Sequence, residues 1–289
     1  MTDWNKTYKA LNPSVDTEMP LVVLTSSSSA SASEIVAGVV QDYDRGVLVG
    51  QKTFGKGLVQ ATRPLTYNSQ LKVTTAKYYI PSGRCIQAID YSHRNDDGSV
   101  GKVPDSLKVA FKTRNGRTVY DGGGVDPDIT VKLEYLSPIA VSLVSKGLIF
   151  DYATDYYYTH PSISSSRDFK LTDAEYAAFV EWLKDKDYDY TTRVEHSIDE
   201  LIKVAKKEKY YDDIDDQIKS LRQNVEHNKD SDLQKFKVDI KQILEEEISS
   251  RYYLRKGVVE TSFSSDESIK AAVDVLKDAD RYHQILQAN

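Results

Sequence analysis

Near residue 135 the apolar residues change their spacing from every second position to a period of 3.6, which divides the chain into a strand-bearing half and a helical half. Upstream, Pro20-Leu21-Val22-Val23-Leu24 and Gly46-Val47-Leu48-Val49 are short apolar runs suited to buried strands. Between them, Ile35, Val36, Val39 and Val40 lie at helical spacing, so a strand leads into a helix over 34–43. Residues 58–65 and 71–80 read as further strands, and Asn115-Gly116 between two strand-like runs predicts a hairpin with a two-residue turn. Downstream, helices are expected over about 137–150, 172–186, 196–209, 213–227, 231–254 and 265–286. Thr172 with Glu175, and Ser197 with Glu200, fit capping boxes that would open two of them.

At 289 residues the chain has room for two domains, expected at 1–135 and 136–289. No apolar run approaches the ~20 residues that a bilayer crossing needs, so no membrane span is expected. With 38 basic against 44 acidic residues the net charge is -6, which argues against nucleic acid as a partner. The single cysteine, Cys85, excludes an internal disulfide and a thiolate metal cluster. His93, His160, His196, His227 and His283 are scattered through polar surroundings and read as surface residues, and Glu245-Glu246-Glu247 reads as a solvated helix face. No metal and no cofactor is expected. The first twenty residues have neither a basic n-region nor an apolar h-region, so either the protein is cytosolic or its natural start lies upstream of Met1.

The chemistry centres on two short segments. Ser31-x-x-Glu34 is a capping box, and on that pattern alone Ser31 caps a helix and does nothing else. Lys56 lies in Gly55-Lys56-Gly57, between residues that let backbones approach closely. Gly50-x4-Gly55-Lys56 after a strand also has the outline of a P-loop, but residue 57 is Gly where Mg²⁺ needs Ser or Thr, and a strand-like run follows where a helix should begin. A Ser–His–Asp hydrolase is disfavoured because no G-x-S-x-G elbow is present.

The whole string SASASEIVAGVVQDYDRGVLVGQKTFGKGLVQ resembles the C-terminal processing peptidases, the S41 serine proteases. In that family the nucleophile is the first serine of Ser-Ala-Ser-Glu and the base is the lysine of Gly-Lys-Gly twenty-five positions later, which fall here on Ser31 and Lys56. A supporting glutamine four positions after the lysine falls on Gln60. Residues 74–84 (TTAKYYIPSGR) and 124–129 (GVDPDI) resemble the family's late strands and closing Pro-Asp-Ile segment, so the likeness covers roughly 7–132 in the correct order. It implies a partial crotonase/ClpP-like α/β core followed by an all-helical C-terminal domain. A serine hydroxyl needs a base to take its proton, and a lysine serves when burial keeps it neutral, so Lys56 is expected to be buried. The Ala32 N–H, at the start of the helix, is expected to donate to the oxyanion.

The resemblance further implies endoproteolysis near the C-terminal tails of protein or peptide substrates with unstructured C-termini, through an acyl-enzyme on Ser31. It places such enzymes in the periplasm or cell envelope. Thr25-Ser26-Ser27-Ser28 stands where relatives carry Asn-Ser-Gly or similar. The family's upstream glycine-rich loop, source of the second oxyanion donor, and its PDZ domain have no match before residue 20. The expectation is therefore of a chain lacking the N-terminal portion of a protease, inactive by itself, with an exposed sheet edge that favours a homo-oligomer. The competing reading is a non-catalytic helical scaffold that carries a protease remnant.

Overall fold

The computed structural model describes residues 7–132, 135–225 and 229–288. They form two compact units, one of Met1–Leu133 with Glu267–Asn289 and one of Glu134–Asp266. In the first unit β1 (Val22–Thr25) runs into α1 (Ala32–Asp42), which returns the chain to β2 (Val47–Gly50), parallel to β1. Three antiparallel hairpins follow: β3 (Leu58–Pro64) with β4 (Gln70–Lys77), β5 (Ile89–Arg94) with β6 (Val100–Lys102), and β7 (Ala110–Lys112) with β8 (Thr118–Tyr120). The short β9 (Ile129–Thr130) then pairs parallel to β2, so the central sheet has the order β1-β2-β9.

The β7–β8 hairpin forms around Asn115-Gly116, but its turn is longer than the two residues expected. Thr113 N–H reaches the Arg117 carbonyl at 3.0 Å, and Gly116 N–H reaches the Thr113 carbonyl at 3.0 Å, closing a three-residue loop. Only Gly116 has a positive φ, 89°, which is the pattern of a type I turn followed by a left-handed residue. Asn115 keeps an ordinary φ because its N–H is taken by the buried Asp44 carboxylate at 2.6 Å.

The second unit is all helical: α2 (Pro138–Ser145), α3 (Leu148–Thr159), α4 (Asp173–Trp182), α5 (Arg193–Glu208), α6 (Tyr211–Val225), α7 (Lys229–Lys235) and α8 (Lys237–Ser262). Its core gathers Ile139, Leu143, Tyr152, Phe179, Leu244 and Ile248. The helix expected over 137–150 is divided at Gly147, and that expected over 231–254 is divided at Phe236 and runs on to Ser262 through a turn at Leu254. The Thr172–Glu175 capping box forms, whereas α5 is opened by Thr192 with Glu195 and not by Ser197 with Glu200. Ser197 lies one turn inside, its hydroxyl donating to the Arg193 carbonyl. The end of the helix expected over 213–227, with His227, lies outside the described residues. The glutamate run is not a solvated face: Glu245 is buried and accepts Leu171 N–H at 3.0 Å and Lys170 Nζ at 2.9 Å. Burial likewise raises the Glu246 carboxyl above its ordinary range.

The chain then returns to the sheet. The helix expected over 265–286 is α9 (Glu267–Lys277) and α10 (Ala279–Ile285), separated at Asp278, which caps the second. Side chains alternate across a strand, so β2 supplies two cores. Leu48 packs with Ala37, Ile80, Ile86 and Val125, while Val47 and Val49 pack with Ala272, Val275, Tyr282 and Leu286. Every residue of β2 is buried, as the continuous apolar run requires of a strand covered on both faces. Residues 267–289 thus belong with the sheet, not with the helical unit in which the expected 136–289 domain placed them. Their apolar stripe is what covers Val47 and Val49, each such burial stabilising by about 1.5–3 kcal/mol.

Candidate active site

Ser31 sits between β1 and α1 as the residue that precedes the first helical turn, with φ 58° and ψ -118°. A non-glycine residue in that region costs about 1–3 kcal/mol and persists only where its surroundings hold it. Here the holding group is Glu34, whose carboxylate accepts the Ser31 N–H at 2.9 Å. The Glu34 N–H goes to the Ser31 carbonyl at 2.9 Å, and Ser31 with Glu34 forms the expected capping box. Ala32, next along, is exposed, and its N–H donates to no protein acceptor among the described residues.

Glu34 is fully buried, and it joins the serine turn to the lysine turn. Besides Ser31 it accepts Thr53 Oγ1 at 2.6 Å, Gly55 N–H at 2.7 Å and Lys56 N–H at 2.8 Å. Four donors on two oxygens, with no acceptor among them, is the partner set of an ionised carboxylate. Thr53 extends the link, since its Oγ1 also accepts Val125 N–H at 2.7 Å.

Every backbone polar group of Gly55-Lys56-Gly57 has a partner. Gly55 and Lys56 donate to Glu34, and Gly57 donates to Gln87 Oε1 at 2.8 Å. The Gly55 carbonyl accepts Ala88 N–H at 2.9 Å, the Gly57 carbonyl accepts Tyr78 N–H at 3.1 Å, and the Lys56 carbonyl accepts the Tyr78 hydroxyl. The glycines are dictated by the same crowding: at Gly55 φ is 88° and a Cβ would lie 2.3 Å from Ala88 Cβ.

The Lys56 side chain departs from expectation, being exposed where burial was expected. The backbone of the turn is fully engaged, while the side chain is left to the surface. It lines a cavity of about 500 Å³ together with Gln60, Leu58, Gln87, Ile89 and Arg94. Gln60, exposed on β3, lies at a β-bulge between Val59 and Gln60. Lys56 and Gln60 are thus brought to one cavity. Ser31, half-buried, is joined to the lysine turn through backbone and Glu34, and no hydrogen bond links Ser31 Oγ to Lys56 Nζ among the described residues.

Four residues that hold the site together were not singled out as such from the sequence: Glu34, Thr53, Tyr78 and Gln87. Glu34 was visible only as a capping residue, and Tyr78 only as part of a strand motif. Burial raises the Tyr78 phenol above its ordinary range, and the Glu34 charge adds to this. The C-terminal end of α1 is anchored by a second buried set, in which Asp42 pairs with Arg84 at 2.9 Å and accepts Ser82 N–H at 2.9 Å.

Residues 2–105 match the model of peptidase family S41, and residues 139–276 match that of the C-terminal helical domain of probable PDZ-proteases. Over 72 residues the chain is 54% identical to a carboxy-terminal-processing protease of Bartonella bacilliformis, a match that covers 25% of this chain and 17% of that protein. Over 78 residues it is 51% identical to a carboxyl-terminal-processing protease of Synechocystis, covering 27% of this chain and 18% of that one. A solved photosystem II D1 C-terminal processing protease is similar at 32% identity over 43% of this chain and 23% of that chain, with a TM-score of 0.29. The matched segments span less than a fifth of the length of these curated relatives. Relatives include bacterial and chloroplast processing proteases, and among the described residues no helix is long and apolar enough to cross a membrane.

Proposed function

We propose that the chain, whose residues 2–105 match the model of peptidase family S41, carries the nucleophile and base of a serine endopeptidase of that family that cleaves protein substrates at or near unstructured C-terminal tails. The observation that carries the reading is the buried Glu34 carboxylate, which accepts the Ser31 N–H and the Lys56 N–H and so fixes the two catalytic turns against each other. Lys56 swings from its exposed pose and takes the Ser31 Oγ proton as that oxygen bonds to the scissile carbonyl carbon. General bases often reach their hydrogen bond only in the substrate complex. Gln60, on the wall of the same cavity, orients the Lys56 amine.

The free Ala32 N–H donates to the oxyanion, and the departing amine takes the proton back from Lys56. Water then cleaves the acyl-enzyme by the same route, and no metal or cofactor is required. The helical unit serves docking or assembly, and the enzyme works in the bacterial envelope. The test is labelling by a fluorophosphonate reagent: the wild-type protein should be modified on Ser31 and Ser31→Ala should not. Equal labelling of both would sink the assignment, as would retention of tail cleavage in Ser31→Ala.

A further inference from the structure

Phe54 and Ile89 line two cavities of the first unit, the one that holds Lys56 and a second of about 560 Å³. Ser27, four positions before Ser31, lies on the wall of the second. Three lysines, Lys52, Lys102 and Lys108, line it against a single carboxylate, that of Asp105. The balance is the reverse of that of the whole chain, whose net charge is -6.

Two of the lysines converge on one point. Lys52 Nζ and Lys108 Nζ each lie 3.1 Å from where a Cβ at Gly123 would stand, so the two ammonium groups are at most twice that distance apart. Gly123 has no positive φ, so its backbone does not call for glycine, and the missing side chain is what leaves room for both cations. Like charges so close repel, and each is offset by one carboxylate: Lys52 pairs with Asp126 at 3.0 Å, and Lys108 pairs with Asp105. An ammonium group has three donor protons, so each lysine keeps donors for a further acceptor. The Lys102 side chain has no ion pair or hydrogen bond among the described residues.

We infer that this cavity is an anion subsite, which takes a carboxylate of the substrate chain while the neighbouring residues of that chain lie over Phe54 towards Lys56. The inference rests on the peptidase reading given above, and it adds a substrate class, tails that carry a carboxylate within reach of the scissile bond. The group is either an Asp or Glu side chain or the free C-terminus, since an unmodified peptide carries no other anion at neutral pH.

The probes are four forms of one short fluorescein-labelled peptide, with two aspartates or two asparagines near its end and with a free or an amidated C-terminus. Their affinities for the Ser31→Ala protein are read by fluorescence anisotropy, so that cleavage does not intervene. One hydrogen-bonded charge corresponds to about tenfold in affinity or more, and a charged form should exceed the neutral one by that factor at low salt. The aspartate-amide and asparagine-carboxylate forms tell which carboxylate is read. The advantage should vanish in the Lys52→Met, Lys108→Met double variant and persist when both are changed to Arg. It should also shrink several-fold in Lys102→Met, which breaks no ion pair among the described residues and carries the test if the double variant does not fold. Equal affinity for all four forms overturns the inference. So does an advantage that survives both in Lys102→Met and in a folded double variant, because the carboxylate then sits elsewhere. Failure of fluorophosphonate to label Ser31 in the wild-type protein sinks the peptidase reading instead, and the affinities still decide whether the cavity takes a carboxylate.

Discussion

Glu34 holds Lys56 by its backbone N–H at 2.8 Å and leaves the lysine side chain free in the cavity. Lys56, the proposed base, is thus anchored at its root and exposed at its tip. Glu34→Gln keeps the shape but turns one acceptor into a donor facing N–H or O–H groups. Such a mismatch in a buried site costs about 1–3 kcal/mol. Urea unfolding should show a loss of that size, with Ser31 labelling slowed by at least an order of magnitude. Wild-type stability in Glu34→Gln would mean that the four bonds contribute little.

In the intact enzyme Ser31→Ala should abolish tail cleavage and Lys56→Ala should nearly do so, because groups that act as one unit show non-additive losses. Gln60→Ala should cost less, since its proposed part is only to orient Lys56 from the wall of the cavity they share. Near-full activity in Lys56→Ala would require another base.

Gly55→Ala should be worse than Gly98→Ala, although the two glycines have similar dihedrals, φ 88° and 81°. The backbone penalty of about 1–3 kcal/mol is common to both. Only Gly55 adds a collision, 2.3 Å from Ala88 Cβ, whereas nothing lies within 4 Å at Gly98. Melting temperatures of the two variants isolate the packing part, and equal shifts would contradict the close approach.

Acid should weaken the helical unit through Glu175. Burial raises its carboxyl, but hydrogen bonds from Thr172 and from the Tyr156 hydroxyl outweigh this, and the net pKa is lowered from 4.5. A carboxyl whose folded pKa is depressed stabilises above its unfolded value, and that stability is lost as pH falls through the folded value. The contribution should therefore be present at neutral pH and disappear below about pH 4.5. Thr172→Ala should be destabilised at pH 7 and converge on wild type in acid, which thermal melts across that range would reveal.

Much of the first unit was legible because its physics is local. The run Val47–Val49 is apolar without alternation and became a strand buried on both faces, whereas the run around Val22–Val23 became β1, in which Val22 and Val23 are half-buried and Leu24 is exposed. The position of Ser31 between strand and helix followed from the helical spacing after it. What the sequence concealed was set by partners far along the chain. The turn that carries Lys56 is held by Glu34, Gln87 and Tyr78, all distant from it in sequence. The burial of Glu245 depends on Leu171 and Lys170, which no window around a glutamate run contains. Residues 267–289 carry the same amphipathic pattern as their predecessors, so periodicity could not tell that they cover β2.

That return of the chain to β2 also orders events in time. Leu21 donates its N–H to the Tyr282 hydroxyl across 261 positions, and Val47 and Val49 wait for Ala272 and Val275. Synthesis at about 5–20 residues per second leaves one face of the sheet bare for tens of seconds after β2 emerges. The helical unit, whose core lies wholly within residues 139–248, can close during that interval. Contacts so distant in sequence also slow folding, because the loop must be closed before the contacts form. The unit that holds the sheet is therefore the later of the two to mature, and a protein whose synthesis stops before residue 267 keeps its strands but not their cover.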